Sequence, residues 1–209
     1  MMCLMKKALL YIHGKNGTAD EAEHYKPLVS DYDVIGLNYQ SSAPWEAKSE
    51  FSVAYNHIAE KYEHIGLIAN SVGAYFALNA LSDADIERAF FISPIVNMEK
   101  LITDMMHWAD ITEPELKQKQ EIATSFGETL SWKYLCYVRK HPINWAVPTD
   151  ILYGEGDNLT SMETISSFAE HHKASLTVMK GGEHWFHTAE QMQFLDNWLI
   201  QCLKQGKTQ

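Results

Sequence analysis

Short apolar runs rich in strand-forming residues alternate along this chain with longer segments whose apolar residues have helical spacing. Most of the short runs are continuously apolar, which is typical of parallel strands that are covered on both faces. The strand candidates are residues 6–12, 33–39, 64–70, 88–93, 150–156 and 175–181. The helix candidates are residues 18–30, 45–62, 72–81, 160–172 and 188–204. This alternation predicts an α/β fold with a doubly wound, mostly parallel sheet of about six strands.

One interval, residues 95–147, interrupts the alternation. It contains helical spacing without a convincing strand, and its helix candidates are residues 98–109, 114–126 and 131–141. We interpret it as a helical cap insertion above one end of the sheet, because loops at the carboxyl ends of parallel strands carry the sites of such folds. The 209 residues, 46% of them hydrophobic, can bury one sizeable core but hardly two. We therefore predict a single domain over residues 1–209.

The composition narrows the classes of function. The net charge is −10, with 27 acidic and 17 basic residues and no Lys/Arg cluster, which argues against a nucleic-acid partner. Cys3, Cys136 and Cys202 are widely separated and lack a metal-binding spacing, which is typical of reduced thiols in a cytoplasm. The apolar run "ALLYI" near the N-terminus is too short for a signal-peptide core or a membrane span. We expect a cytoplasmic protein without membrane or nucleic-acid partners, and its oligomeric state stays open.

The stretch "IANSVGAYF", residues 68–76, places Ser71 where a strand must turn abruptly into a helix. Such a turn is strained and needs small residues two positions to either side, and Ala69 and Gly73 are small. It would hold the hydroxyl clear of the sheet edge, in front of the N–H groups and positive dipole end of the helix. The pattern A-N-S-V-G therefore predicts a nucleophile elbow, although its first position is Ala where G-x-S-x-G has Gly. The alternative is an ordinary turn in which Ser71 only caps the helix.

A serine nucleophile needs a histidine base and an acid that orients it. In the chain order serine, acid, histidine, both partners should follow late strands. Asp157 follows a strand in "YGEGD", and His184 follows the final strand in "GGEHWFH". Glu155 and His187 are competing candidates. We prefer Asp157 because it comes later in its turn, and we expect His187 to be a packing or capping residue at the start of the last helix.

An oxyanion formed by attack of Ser71 needs backbone donors. The N–H of Val72, at the start of the helix, is one candidate. The loop "HGKNG", residues 13–17, offers the N–H of Lys15 as the second, and His13 then shapes the loop. The alternatives for this loop are an ordinary Gly-rich turn or a phosphate cradle, but it lacks the spacing of the known phosphate-binding motifs.

These motifs resemble those of the α/β-hydrolase superfamily over nearly the whole chain. His13 and Gly14 match the oxyanion loop, Ser71 the nucleophile elbow, Asp157 the acid turn and His184 the histidine loop. The resemblance implies a mostly parallel, doubly wound sheet and acyl transfer to water as the usual reaction. The insertion stands where many members carry a helical cap. The chain begins almost at once with the strand before the oxyanion loop, so we expect the usual N-terminal antiparallel hairpin to be absent.

The insertion and the histidine loop supply candidates for binding an acyl substrate. Helical spacing places Leu101, Met105 and Trp108 on one face, which suggests an apolar acyl pocket of modest size. The simpler alternative is that this face only packs against the rest of the protein. Trp185 and Phe186 form either a second apolar wall or an anchor for their loop. The candidate substrate contacts are His13, Gly14, Met105, Trp108 and Trp185.

The function predicted from the sequence is hydrolysis of a small to medium carboxylic ester, thioester or amide through an acyl-enzyme on Ser71. It needs no metal or organic cofactor, and its partner is a small-molecule acyl substrate. A metal-dependent hydrolase built on Glu183, His184 and His187 is one alternative, although their spacing lacks the usual helix motif. The others are an acyltransferase or carbon–carbon hydrolase with the same triad, and a non-catalytic binding protein with this fold.

Overall fold

All six predicted strands pair in one parallel sheet in the computed structural model, which describes residues 6–205. The prediction for Cys3 lies outside these residues. The first half of the sheet unit contains β1 (Lys7–Ile12), β2 (Asp33–Gly36), α1 (Pro44–Ala59), β3 (His64–Asn70), α2 (Val72–Ala80) and β4 (Arg88–Ile92). An inserted unit, Asn97–Asn144, follows and contains α3 (Met98–Trp108), α4 (Glu113–Lys119), β5 (Glu121–Ala123), β6 (Thr129–Ser131) and α5 (Trp132–Lys140). The sheet unit resumes with β7 (Thr149–Gly154), α6 (Met162–His172), β8 (Ser175–Met179) and α7 (Ala189–Gln205).

The strand order is β2-β1-β3-β4-β7-β8, with every neighbouring pair parallel. The order of connection reverses between β1 and β3, and ligands of open α/β sheets bind at such a switch point, outside the carboxyl ends of the strands. His13 directly follows β1 and Ser71 directly follows β3. The topology therefore brings the loop that begins at His13 and the turn at Ser71 to this position.

Both faces of the sheet are buried, which explains why its strands are continuously apolar. Consecutive residues of a strand point to opposite faces. Phe90 packs edge-to-face on Trp198 of α7, with ring centroids 6.3 Å apart, whereas its neighbour Phe91 lies 5.8 Å from Trp145. The predicted doubly wound α/β fold is confirmed.

The segment predicted as a helix over residues 18–30 forms two 3-10 helices instead, Ala19–His24 and Lys26–Leu28. Pro27 explains the difference, because proline has no N–H and its ring disfavours a continuous α-helix. The N–H of Leu28 donates to the carbonyl of Tyr25, which is the shorter pattern of a 3-10 turn.

The insertion is not purely helical, and the helix predicted over residues 114–126 ends early. Gln120 has a φ of 67°, and the chain then forms an antiparallel hairpin of β5 and β6. Gly127, with a φ of 87°, makes the turn. The Thr124 N–H donates to the Glu128 carbonyl at 2.7 Å, so the turn holds its own hydrogen bonds. The helical spacing of this segment misled the prediction because its residues are mostly polar and carry little packing information.

Within residues 6–205, none of the helices is long and apolar enough to span a membrane. The single-domain organisation stays a prediction.

Candidate active site

Ser71 occupies a backbone conformation that residues with a side chain rarely adopt, with φ 50° and ψ −120°. A Cβ at Gly73 would lie 2.2 Å from the carbonyl oxygen of His13, so only glycine fits there. The turn is held from both sides, because the Ser71 N–H donates to Ile92 O at 3.0 Å and the Ser71 carbonyl accepts from Ile95 N at 3.1 Å. The small residues of the motif therefore have a steric reason, and the strain falls on the serine.

Three predicted side chains come together at the carboxyl ends of β3, β7 and β8. Ser71 Oγ lies 2.8 Å from His184 Nε2, and His184 Nδ1 lies 2.7 Å from Asp157 Oδ2. An ionised carboxylate can only accept a hydrogen bond, so Nδ1 carries the proton that it donates to Asp157. In the neutral imidazole, Nε2 is then the acceptor and faces the serine hydroxyl. This is the order and geometry of a nucleophile, its base and the acid that orients the base.

Backbone donors hold the Asp157 carboxylate in place. Its side chain is fully inaccessible to solvent. The second oxygen, Oδ1, accepts from the N–H groups of Leu159 at 2.8 Å and Thr160 at 3.0 Å. These bonds satisfy the buried charge and leave Oδ2 for His184. Burial and, after it, the nearby Asp157 charge raise the pKa of Tyr153, whose hydroxyl donates to the Thr160 carbonyl at 2.7 Å.

The competing candidates have other partners. The Glu155 carboxylate accepts from the N–H of Gly181 at 3.0 Å and so links the acid loop to the histidine loop. His187 Nδ1 lies 2.7 Å from the carbonyl oxygen of Trp185. Neither side chain takes part in the Ser71–His184–Asp157 chain of hydrogen bonds.

The loop after β1 lies against Ser71. A Cβ at Gly14 would be 3.2 Å from the Ser71 Cβ, so the backbone beside Lys15 passes close to the serine. His13 is buried and stacks on Tyr39, whose hydroxyl donates to the His13 carbonyl at 2.8 Å. His13 thus packs beneath the loop. Val72 is the first residue of α2, where an N–H has no intrahelical acceptor.

The remaining candidate substrate contacts differ in exposure. Trp185 is 70% exposed and stacks on His187 with ring centroids 4.5 Å apart. Phe186 is buried in the core cluster that includes α7 residues, so it anchors the histidine loop. Within the inserted unit, Trp108 is 51% exposed and packs edge-to-face on Phe126, and Met105 is half-buried. The face expected from Leu101, Met105 and Trp108 is therefore not uniformly buried, and the buried side chains of α3 are Met98, Leu101, Ile102 and Met106.

The turn after β4 was not predicted from the sequence. Ser93 has a φ of 43° and is fully buried, and within the described part of the chain its hydroxyl has no hydrogen-bond partner. Its N–H donates to Leu152 O at 2.8 Å, and the neighbouring residues Ile92 and Ile95 bind Ser71 as described above. The turn thus joins β7, which leads to Asp157, to Ser71. The only sequence signal is a Ser-Pro pair at a strand end, which is too common to be specific.

A metal-dependent hydrolase would need a group of side chains that binds the metal ion. Residues 6–205 contain no group of three or more His, Cys, Asp or Glu side chains placed to do so. His187 Nδ1 and Glu183 Oε2 are 3.5 Å apart and form a surface pair.

The chain has the α/β-hydrolase fold, since solved structures of that fold match it over nearly its whole length. Est1E from Butyrivibrio proteoclasticus is 15% identical, with a TM-score of 0.74, and the match covers 100% of this chain and 91% of that one. Alpha/beta hydrolase domain-containing protein 10 from mouse is 15% identical, with a TM-score of 0.72 and coverage of 95% and 90%. The Pyrococcus furiosus esterase Pf2001 is 19% identical, with a TM-score of 0.64 and coverage of 96% and 83%. No protein-family model and no curated protein matches the chain. The resemblance seen in the sequence is confirmed at the level of the fold.

Proposed function

We propose that this protein is a serine hydrolase that cleaves a small to medium carboxylic ester, or a thioester or amide, through an acyl-enzyme on Ser71. The observation that carries the proposal is the continuous hydrogen-bond chain from Ser71 Oγ through His184 to Asp157, at 2.8 and 2.7 Å. The strained conformation of Ser71 adds support, because strain of this kind concentrates at functional positions. The names of the similar structures, two of them esterases, agree with this class of reaction.

In the proposed mechanism, Ser71 Oγ attacks the carbonyl carbon while its proton passes to His184 Nε2. Asp157 holds the imidazole in the required tautomer and stabilises the cation that forms. The N–H groups of Lys15 and Val72 bind the oxyanion. Collapse of the tetrahedral intermediate breaks the bond to the leaving group, which takes the proton from Nε2. A water molecule then repeats the sequence on the acyl-enzyme and releases the acid.

Ser71→Ala tests this proposal directly. We expect a loss of kcat/KM for simple esters on the order of 10⁴-fold or more, because the other triad members cannot replace the nucleophile. The stability of the variant should be nearly unchanged, because alanine keeps the Cβ and with it the strained backbone of the turn. Retained esterase activity would exclude the triad, and failure of a fluorophosphonate probe to label Ser71 in the wild type would favour a non-catalytic binding protein.

The substrate panel should vary acyl length and leaving group, and should include alcohols and amines as alternative acceptors to detect acyl transfer. A structure of Est1E with bound ferulic acid matches this chain at 14% identity and a TM-score of 0.71. Because that ligand belongs to Est1E, hydroxycinnamate esters enter the panel as one class among several.

A further inference from the structure

The Glu21 carboxylate connects the loop after β1 to the interior of the sheet. Glu21 lies in the 3-10 helix Ala19–His24, immediately after that loop. One oxygen accepts from the Thr18 N–H at 3.2 Å, and the other accepts from the Tyr11 hydroxyl. Tyr11 belongs to β1 and is almost completely buried. A single side chain therefore fixes the end of the loop to the core.

Tyr11 is a firmly placed donor, and it also reaches toward the nucleophile. Its ring lies against Tyr25 at 5.2 Å. Burial, then the Tyr25 ring, then the hydrogen bond to Glu21 raise the pKa of Tyr11, so the hydroxyl keeps its proton. Asn70, the residue before Ser71, acts in the opposite direction on that pKa. The Tyr11 hydroxyl therefore lies close to the elbow as well as to Glu21.

The turn of residues 14–17 packs directly against the Glu21 carboxylate. The turn closes with the Gly17 N–H donating to the Gly14 carbonyl at 3.1 Å, and Asn16 has a φ of 61°. A Cβ at Gly17 would lie 2.7 Å from Glu21 Oε1, so a side chain at this position would displace the carboxylate. Lys15 is in the middle of this turn, and the side chains of Lys15 and Asn16 are exposed.

We propose that Glu21 is a positioning residue, which acts through Tyr11 and Thr18 to hold the turn of residues 14–17 so that the Lys15 N–H is in place for the oxyanion. This inference rests on the proposed function. Donors stabilise an oxyanion strongly only when they are already oriented before it forms. Loss of the Glu21 contacts should therefore weaken binding of the transition state more than binding of the substrate.

The experiment compares Glu21→Ala, Glu21→Gln, Tyr11→Phe and Gly17→Ala with the wild type on a simple ester. We expect Glu21→Ala to lower kcat by roughly tenfold or more, while KM changes by less than about threefold. The affinity for a boronic acid that forms a tetrahedral adduct on Ser71 should fall in parallel. Glu21→Gln should show a smaller loss, because an amide offers one acceptor oxygen for the two donors. Gly17→Ala should show the same pattern as Glu21→Ala, since its methyl group displaces the carboxylate.

Glu23→Gln is the matched control, because Glu23 lies in the same 3-10 helix and pairs with Lys26 at the surface. It should leave kcat, KM and adduct affinity unchanged. If Glu21→Ala lowers the melting temperature but leaves kcat and adduct affinity within about twofold of the wild type, Glu21 is merely structural and the inference is overturned. The comparison among variants uses only the part of the ester turnover that is lost in Ser71→Ala. A wild type without such turnover overturns the proposed function and this inference together, whereas Ser71-dependent turnover that is unaffected in Glu21→Ala overturns the inference alone.

Discussion

At the scale of single residues, the site depends on which carboxylate orients the histidine. Asp157 and Glu155 are two positions apart in one turn, yet their hydrogen bonds serve different purposes. Asp157 accepts from His184 and from two backbone N–H groups, whereas Glu155 accepts from Gly181 and ties two loops together. In the sequence, only the later position in the turn favours Asp157 over Glu155. In the structure, the two backbone donors to Oδ1 and the contact of Oδ2 with His184 favour the same residue.

Asp157→Asn and Glu155→Gln therefore form a matched pair of conservative substitutions. We expect Asp157→Asn to lower kcat by about 10³- to 10⁴-fold, because an amide can stabilise the wrong tautomer of His184 and cannot balance the imidazolium charge. Glu155→Gln should cost less than about tenfold, since its amide oxygen can still accept from the Gly181 N–H. Steady-state kinetics on one ester measures both. Equal losses, or a larger loss for Glu155→Gln, would move the orienting role to Glu155.

At the scale of elements, the strands were more predictable than the helices. The predicted strand over residues 64–70 matches β3 residue for residue, because a strand buried on both faces must be apolar throughout and ends where polarity returns. The segment of residues 114–126 lacks this constraint, since most of its side chains are exposed and helical spacing there reflects no packing. The three residues of the Ser71–His184–Asp157 hydrogen-bond chain were predictable from chain order and strand ends. The Ser93 turn and the Glu21 contacts were not, because both depend on backbone approaches between distant segments.

Substitutions in helix α3 test the sequence-based hypothesis that Met105 and Trp108 contact the acyl chain. Each methylene of a buried chain contributes about 0.8 kcal/mol, whereas the triad chemistry is common to all substrates. Met105→Ala or Trp108→Ala should therefore change the ratio of kcat/KM between butyrate and acetate esters, with kcat/KM for acetate staying within about tenfold of the wild type.

Lys100→Ala is the control on the same helix, because Lys100 is a surface residue that pairs with Asp104. It should leave the butyrate-to-acetate ratio unchanged. If both Met105→Ala and Trp108→Ala are folded and keep the wild-type ratio, the acyl chain is bound elsewhere, and the exposed ring of Trp185 is the next candidate.

At the scale of the sheet unit as a whole, Ser71 and a buried ion pair lie toward opposite ends of the strands. Ser71 follows the carboxyl end of β3, whereas Arg88 begins β4 and pairs in register with Gly66. Arg88 Nε donates to Asp150 Oδ2 on β7 at 2.7 Å, and Arg88 Nη1 donates to the Cys202 carbonyl on α7 at 2.7 Å. One guanidinium thus joins two strands and the last helix, far along the strands from the nucleophile.

Arg88→Met should destabilise the protein without altering its chemistry. Asp150 is only 8% exposed at its side chain, so removal of Arg88 leaves a carboxylate that is desolvated and unpaired. Breaking a fully buried pair costs about 3–5 kcal/mol, and because the Arg88 side chain keeps partial exposure we expect about 2–3 kcal/mol here. Urea unfolding measures the loss, and kcat/KM per folded molecule should stay within about twofold of the wild type.

Two further variants separate the buried pair from charge effects in general. Arg139→Gln removes the partner of Glu113 and Glu99, whose side chains are largely exposed, so it should change stability little. The double variant Arg88→Met with Asp150→Leu should recover most of the lost stability, because an apolar pair of similar volume leaves no buried charge unpaired. If Arg88→Met is no more destabilising than Arg139→Gln, the guanidinium is not what holds this end of the sheet. If the double variant is as unstable as the single one, the unpaired Asp150 charge is not the cause of the lost stability. The loss then comes from the Cys202 carbonyl, which no longer accepts a hydrogen bond from Arg88, and from lost packing on Phe90, whose ring lies 5.3 Å from the guanidinium.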